Sequence, residues 1–430
     1  MRFLANGMRK ILIISPHYPP SNLAAVHRSR LFAQHLPSFE WEPIILTVDE
    51  KYYEEKPDWN LHKLLPVDQR IEKSEAYKIT KPRIVGDIGL RAFFQLYKKA
   101  KKIIAAEKIY FLYIPVPSFY TALIGRALNR FTGIKYGIDY IDPWVHYFPG
   151  SEKKFSRHWL STQLAKFLEP VAVKKASLIT GVAEGYYKGV IERNRHLSKT
   201  CLFGAMPYGG EKRDHEEVLK LDIMPYLFAP KSHRLRLVYA GAMLPKAYTP
   251  LENIFRSVAE NLSLFNDVEF HFIGTGKRAD DPASHNIKPL AQKYGLWNTM
   301  VFEYPQRIPY LDVLVHLKNA DGVFILGSTE PHYTPSKVYQ GVLSEKPLLA
   351  VLHTQSSAVE IIRQSKAGVV LDFNGEEELN KIYTDFPDSY TEFRNFARAF
   401  VPSAVDQDVF ERYSAKETTR QLAALLNQLT

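Results

Sequence analysis

Two series of short apolar runs, each alternating with helix-patterned stretches, constrain this fold more than any other feature of the chain. The first series is "KILIIS" (10–15), "EPIILTV" (42–48), "KIYFLYIP" (108–115), "IKYGIDYID" (134–142), "ASLITGV" (176–182) and "TCLFGAMPYG" (200–209). The second is "LRLVYAG" (235–241), "VEFHFIGTG" (268–276), "MVFEYP" (300–305), "DGVFILG" (321–327), "PLLAVL" (347–352) and "AGVVLDF" (367–373). Stretches with helical spacing lie between them, such as 29–36, 91–106 and 159–172. Strands that are apolar along most of their length are buried on both faces, and intervening helices make consecutive strands parallel. The reading is therefore α/β, with two doubly wound, Rossmann-like parallel sheets. A length of 430 residues is too great for one core and comfortable for two domains. Residues 209–234 are charged, weakly periodic and rich in Pro and Gly, and are expected to link a domain of 1–208 to one of 235–405. A final helix, 409–429, follows a break at Pro402. Ligands of such sheets bind outside the carboxyl ends of the strands, in a cleft.

The longest uncharged run, "IYFLYIPVPSFYTALIG" (109–125), is shorter than the ~20 residues of a membrane span and contains Pro115 and Pro117. It reads as a buried strand followed by the start of a helix. The opening "MRFLANGMRK" lacks the apolar core of a secretion signal, and Met8 is a candidate start. A single cysteine, Cys201, excludes an intramolecular disulfide and favours a reducing, cytoplasmic compartment. Residues 1–205 carry 32 Lys and Arg against 18 Asp and Glu, whereas the remainder carries 24 against 28. That asymmetry points to an anionic partner for the first half. "RAFFQLYKKAKKIIAAEK" (91–108) has six cations and one acid among Phe93, Phe94, Leu96, Ile103 and Ile104. Its expected partner is an anionic membrane surface, the alternative being an ordinary amphipathic helix with a solvated basic face. No nucleic-acid recognition signature accompanies the charge.

"GSTEPHYTPSKVYQGVL" (327–343) reads as a strand end, a polar loop and a helix starting near Ser336. Ser favours the N-cap, and a helix N-terminus beside Lys337 suits an anion. Gln340 lies one turn in on the same face, where it can hydrogen-bond a hydroxylated ligand. The alternative is a capped helix that merely packs on the sheet. In "YAGAMLPKAYTPLENIF" (239–255), Lys246 follows the strand-end glycine and is placed to reach a phosphate or to stay solvated. "FIGTGKR" (272–278) is a glycine turn after a strand and lacks the third glycine of a dinucleotide fingerprint. "SPHYPPSNLAAVHRSR" (15–30) brings His17, Arg28 and Arg30 to the end of the first strand. "GIDYIDPWVHYFPG" (137–150) sets Asp139, Asp142 and His146 beside Trp144 and Tyr147, a mixture of carboxylates and aromatic faces that suits a sugar. No CxxC or HExxH motif is present, and no metal is expected.

In their order and spacing, "ILIISPHYPP", "YIDPW", "MPYGG", "LVYAGAM", "FIGTG", "FEYPQRIPYLDVLVHLKNADGVFIL" and "PSKVYQGVLSEKPLLAV" resemble the GT-B glycosyltransferases of retaining family 4, in its bacterial polysaccharide branch. The resemblance spans nearly the whole chain. It implies that the second domain binds a nucleoside diphosphate sugar and the first an acceptor. It places Gly241, Lys246, Gly274, Arg307, Thr334, Ser336, Lys337 and Gln340 on the donor, with the 304–307 loop by the base. His17, Arg28 and Trp144 fall on the acceptor side, and Asp142 and His332 at the reacting centre. The last helix, within 406–430, would cross back to the first domain. At the two positions where the family carries glutamates this chain has His332 and Gln340. Ala242 replaces an arginine, and "SNLAA" replaces a glycine pair.

The resemblance implies metal-independent glycosyl transfer with retention to an acceptor hydroxyl, the diphosphate serving as leaving group and no cofactor beyond the nucleotide sugar. The expected setting is cell-surface polysaccharide synthesis on a lipid-linked or oligosaccharide acceptor, at the inner face of the cytoplasmic membrane. A catalytically weak binding or scaffold protein and a nucleotide-sugar epimerase or phosphorylase of the same fold are the other readings.

Overall fold

The structure, a computed structural model, describes residues 7–80, 85–145, 153–229 and 233–430. His146 and Tyr147 fall outside them. All twelve apolar runs form strands, and a thirteenth joins them. The first sheet contains β1 (Arg9–Ile14), β2 (Trp41–Val48), β3 (Arg70–Ser74), β4 (Ile109–Val116), β5 (Tyr136–Tyr140), β6 (Leu178–Gly181) and β7 (Leu202–Ala205). The second contains β8 (Leu235–Ala240), β9 (Val268–Ile273), β10 (Val301–Tyr304), β11 (Gly322–Leu326), β12 (Leu348–His353) and β13 (Gly368–Phe373). The orders are β3-β2-β1-β4-β5-β6-β7 and β10-β9-β8-β11-β12-β13. Every pairing is parallel. This is the doubly wound arrangement of a two-domain GT-B fold. The strand order reverses between β1 and β4 in one sheet and between β8 and β11 in the other, where strand-end loops diverge and leave room for a ligand.

Burial explains the strand composition. β4 and β12 are apolar over their length because helices cover both faces. In the first sheet, Leu12, Ile14 and Leu112 enter one core layer, while Ile11, Ile13 and Phe111 enter the other. The strand absent from the expectation, β3, is an edge strand with sequence RIEKS, most of it only part-buried. An edge facing solvent needs no apolar run, so periodicity gives no signal there.

The chain divides into a unit of residues 1–208 with 415–430 and a unit of 209–414. The expected linker is therefore not a linker. Its helix Lys212–Val218 and the segment behind it are bonded into the second unit. Tyr310 donates to Asp214 at 3.0 Å, Tyr226 donates to Asp312 at 2.9 Å, and the backbone N–H groups of Tyr226 and Leu227 both donate to Nε2 of His316. The final helix is also not continuous. It breaks between Gln407–Glu411 and Ala415–Asn427, where Ser414 bridges to Gly210, and only the later part belongs to the first unit. There it packs beside helix Ala24–His35, with Leu422 and Leu426 buried.

The basic stretch 91–108 forms two pieces, Ile88–Arg91 and Phe93–Ala106. Leu96, Ala100 and Ile103 are buried in the core and Ile104 packs on it, so most of the apolar residues expected to meet a membrane face inward. Arg91 is buried as well, donating to the carbonyls of Tyr77 and Tyr52 at 2.9 and 3.1 Å. Among the described residues no helix is long and apolar enough to cross a membrane.

Candidate functional site

In the second unit the loops after β8 and β11 meet at the point where the strand order reverses. Gly241 closes β8 with φ 108° and Gly274 closes β9 with φ 72°, backbone conformations that disfavour side chains. A Cβ placed on Gly274 would lie 3.8 Å from the Cα of Gly241 and 3.8 Å from the Cα of Arg307. The two turns and the end of the 304–307 loop are therefore immediate neighbours. A Cβ on Gly241 would lie 3.1 Å from Cε of Lys337.

Lys337 opens helix Lys337–Leu343, and its side chain lies back over the β8 turn. Its Nζ donates to the carbonyl oxygen of Ala242 at 3.1 Å and sits 4.8 Å from the centroid of the Tyr239 ring. Tyr239, buried, donates to the same carbonyl at 3.0 Å. Among the described residues no carboxylate pairs with this half-buried ammonium, and desolvation pulls its pKa down to about 8. A cation kept near two side-chain-free turns without a counter-ion suits an anion.

The remaining expected residues divide by geometry. Lys246 is on the same turn, and the backbone N–H of Thr329 donates to its carbonyl at 3.3 Å. Its ammonium is half exposed and 3.8 Å from Glu330, an acid that the sequence reading did not assign a role. Arg307 is exposed, and its backbone N–H donates to Ala279. His332 lies in the turn between β11 and the Lys337–Leu343 helix. Thr334 is turned inward: it is buried, and its hydroxyl is 2.9 Å from that of Ser357. Ser336 occupies the N-cap position but is helical there, at φ −58° and ψ −17°, and makes no side-chain cap. The expected capping bond is absent because that backbone keeps the hydroxyl from the N–H groups it would have to meet.

Gln340 has a partner that the sequence did not suggest. Nε2 of His215, on the Lys212–Val218 helix, is 2.8 Å from Oε1 of Gln340. A carboxamide oxygen only accepts, so Nε2 carries the proton. His215 is buried, and desolvation lowers its pKa, favouring the neutral ring. The only signal for this residue was a histidine in a polar segment, 125 positions away from its partner.

In the first unit, His17 follows β1. Its Nδ1 is 2.8 Å from Oε1 of Glu55, which also accepts from the Ser21 hydroxyl. Burial opposes the charge on Glu55, but these bonds outweigh it and hold the carboxyl down at about 2. His17, Glu55, Ile88 and Arg91 line a shallow recess. Asp142 follows β5, and desolvation raises its carboxyl to about 6. Trp144 is buried and stacked on Phe119, with ring centroids 5.6 Å apart and planes at 6°, so that face is not open to a sugar.

Arg28 does not face a ligand. It is fully buried and grips Asp139 at 2.5 and 2.9 Å, while its Nη1 donates to the carbonyls of Met206 and Pro207 at 2.8 and 3.0 Å. Asp139 also accepts from Thr180 at 2.8 Å. A bidentate pair with these extra bonds is a structural tie between the first helix and the ends of β5 and β7.

No family model and no curated protein matches the chain. Solved structures do. A glycosyltransferase from Rickettsia africae is 14% identical over 98% of each chain, with a TM-score of 0.61. A UDP-forming α,α-trehalose-phosphate synthase from Burkholderia xenovorans is 12% identical over 98% of this chain and 99% of its own, with a TM-score of 0.64. The Anabaena protein HepE, solved in complex with UDP-glucose, is 13% identical over 97% of this chain and 99% of its own, with a TM-score of 0.62. At such identities the likeness establishes the fold, and the chain has the two-domain GT-B architecture of these glycosyltransferases.

Proposed function

We propose that this chain is a glycosyltransferase that uses a nucleoside diphosphate sugar bound to the second unit. The observation that carries the reading is Lys337, held without a carboxylate partner among the described residues beside the paired turns at Gly241 and Gly274. The fold it shares with a UDP-glucose-binding protein supports it. The diphosphate lies over the two turns, with Lys337 and Lys246 meeting the charge that builds up as it leaves. The bond from the anomeric carbon to the phosphate oxygen breaks, and its electron pair stays on the diphosphate. The acceptor oxygen bonds to that carbon on the same face, which retains configuration, and its proton passes to a leaving phosphate oxygen. Asp142 orients the acceptor hydroxyl, and His332 contacts the donor sugar. The protein cations carry the charge stabilisation without a metal. The acceptor is lipid-linked, and the setting is synthesis of a cell-surface polysaccharide at the cytoplasmic membrane.

The second reading, a nucleotide-sugar-binding protein without turnover, draws on the engagement of Gln340 by His215 and on His332 standing where the resembling family has an acid. A thermal-shift panel with UDP, GDP, ADP, CMP and dTDP in chelator tests the site. Stabilisation by one nucleotide, lost in Lys337→Ala, is expected. No shift with any of them, or an equal shift in the variant, overturns the site. Release of free sugar from the matching nucleotide sugar separates a transferase from a binder.

A further inference from the structure

The helix Arg157–Val173 carries an apolar stripe on its outer side. Leu160, Leu164, Phe167 and Val171 recur at a spacing of three to four residues and are 54%, 43%, 72% and 46% exposed. They form one line along the helix, opposite the buried Thr162, Ala165, Glu169 and Ala172. Just before the helix, Phe155 is 79% exposed, its ring 5.4 Å from that of Trp159. A contiguous line of large exposed apolar side chains is uncommon on a surface that meets only water.

The exposed charge along residues 153–175 is of one sign. Lys153, Lys154, Arg157, Lys166, Lys174 and Lys175 are all exposed. The single acid between 153 and 175, Glu169, points inward and is held by Arg193 at 2.8 Å. The neighbouring helices continue the surface. Helix Thr121–Thr132 packs on one side of Arg157–Val173, and Phe93–Ala106 packs on Thr121–Thr132. They add exposed Phe94 and Phe131 and the exposed Lys98, Lys101 and Lys102.

We infer that this surface docks on an anionic lipid bilayer, with Leu160, Leu164, Phe167 and Val171 inserted at the headgroup boundary and the lysines among the headgroups. An apolar line ringed by cations matches a bilayer in both respects. A second copy fits poorly, because pairing this surface with itself sets cation against cation. The inference deepens the membrane part of the proposed function and moves the inserted element from 91–108 to the Arg157–Val173 helix.

The test is co-flotation of the full chain with vesicles of phosphatidylcholine alone, or of phosphatidylcholine and phosphatidylglycerol in equal amounts, with no nucleotide or acceptor. The reading of the donor site therefore stands or falls separately. Binding to the anionic vesicles only, weakened by salt, is expected. The double variant L164S/F167S should lose about tenfold or more in partitioning, with its melting temperature and nucleotide response unchanged, since both side chains are exposed. K174E/K175E should lose binding without touching the apolar line. No binding to anionic vesicles overturns the proposal. So does equal binding by L164S/F167S, which would leave charge alone responsible. A dimer in light scattering that L164S/F167S dissolves would assign the face to a second copy and also overturn it.

Discussion

Nε2 of His215 and Oε1 of Gln340 are 2.8 Å apart and tie the Lys212–Val218 helix to the helix that begins at Lys337. Gln340 is thereby fixed one turn away from the lysine beside the glycine turns. Removing the imidazole by His215→Ala leaves a part-buried carboxamide without this donor, at a cost of about 1 kcal/mol. The expected result is a melting temperature lower by a few degrees and weaker nucleotide binding, with His215→Gln recovering part of both. Thermal melts and nucleotide titrations of the two variants check this. Because burial lowers the pKa of His215, the unfolded chain takes up its proton more readily. This residue's contribution to stability is lost as the pH falls through and below the usual histidine range.

Lys337 makes donor binding sensitive to alkali. Its pKa of about 8 is below the usual lysine value, so its charge fades at a pH where other lysines keep theirs. Nucleotide affinity should fall as pH rises above about 8, and binding near that pH should take up a proton. Calorimetric titration in buffers of different ionisation enthalpy reads that proton directly. Fold stability should move the other way: above about 8 the unfolded chain holds a proton that the folded chain has released, so stability rises with pH. Lys337→Ala should weaken nucleotide binding at least tenfold, about 1.4 kcal/mol, and abolish the proton uptake while leaving the fold intact.

Gly241→Ala tests the turn itself. At φ 108° a side chain is strained, and its Cβ would press on Cε of Lys337 at 3.1 Å. A loss of about 1–3 kcal/mol in stability is expected, together with weaker nucleotide binding. Chemical denaturation and titration of the purified variant measure both.

Arg28→Ala should damage folding rather than acceptor affinity. It leaves Asp139 buried without its counter-charge, with a neutral hydroxyl bond from Thr180 remaining. Breaking such a pair costs about 3–5 kcal/mol. Denaturant melts that follow the first unit should show the loss. A variant of normal stability with a raised acceptor KM would contradict this role.

Glu55 sets an acid limit on the recess at His17. Its carboxyl is held at about 2, so the stability it contributes is present above the usual carboxylate range and is lost as pH falls toward 2. Glu55→Gln should flatten the acid side of the stability profile and lower stability at neutral pH by about 2–3 kcal/mol. Melts across the acid range check both effects.

Among the described residues, twelve of the thirteen strands are legible in the sequence, because strands buried on both faces must be apolar along their length. β3 is not, because an edge strand with part-buried faces leaves no such mark. The position of Lys337 behind a strand-end loop is legible too, since strand, loop and helix follow one another in the chain. What its ammonium does there is not. Its partners Tyr239 and Ala242 come from another strand, brought alongside by the pairing of β8 with β11. The pairing of Arg28 is not legible for the same reason, because a basic residue on a strand-end helix reads as a ligand contact until its acid is located.

By itself the sequence determined the two parallel sheets, the order of their elements and the loops at the strand ends, because these follow from local periodicity and burial. Only the tertiary structure decided which side chains are engaged and which are kept open. Arg28 and Asp139 are separated by 111 positions, and His215 and Gln340 by 125. A pairing over such distances is set by how sheets and helices stack, and no local pattern of residues encodes it.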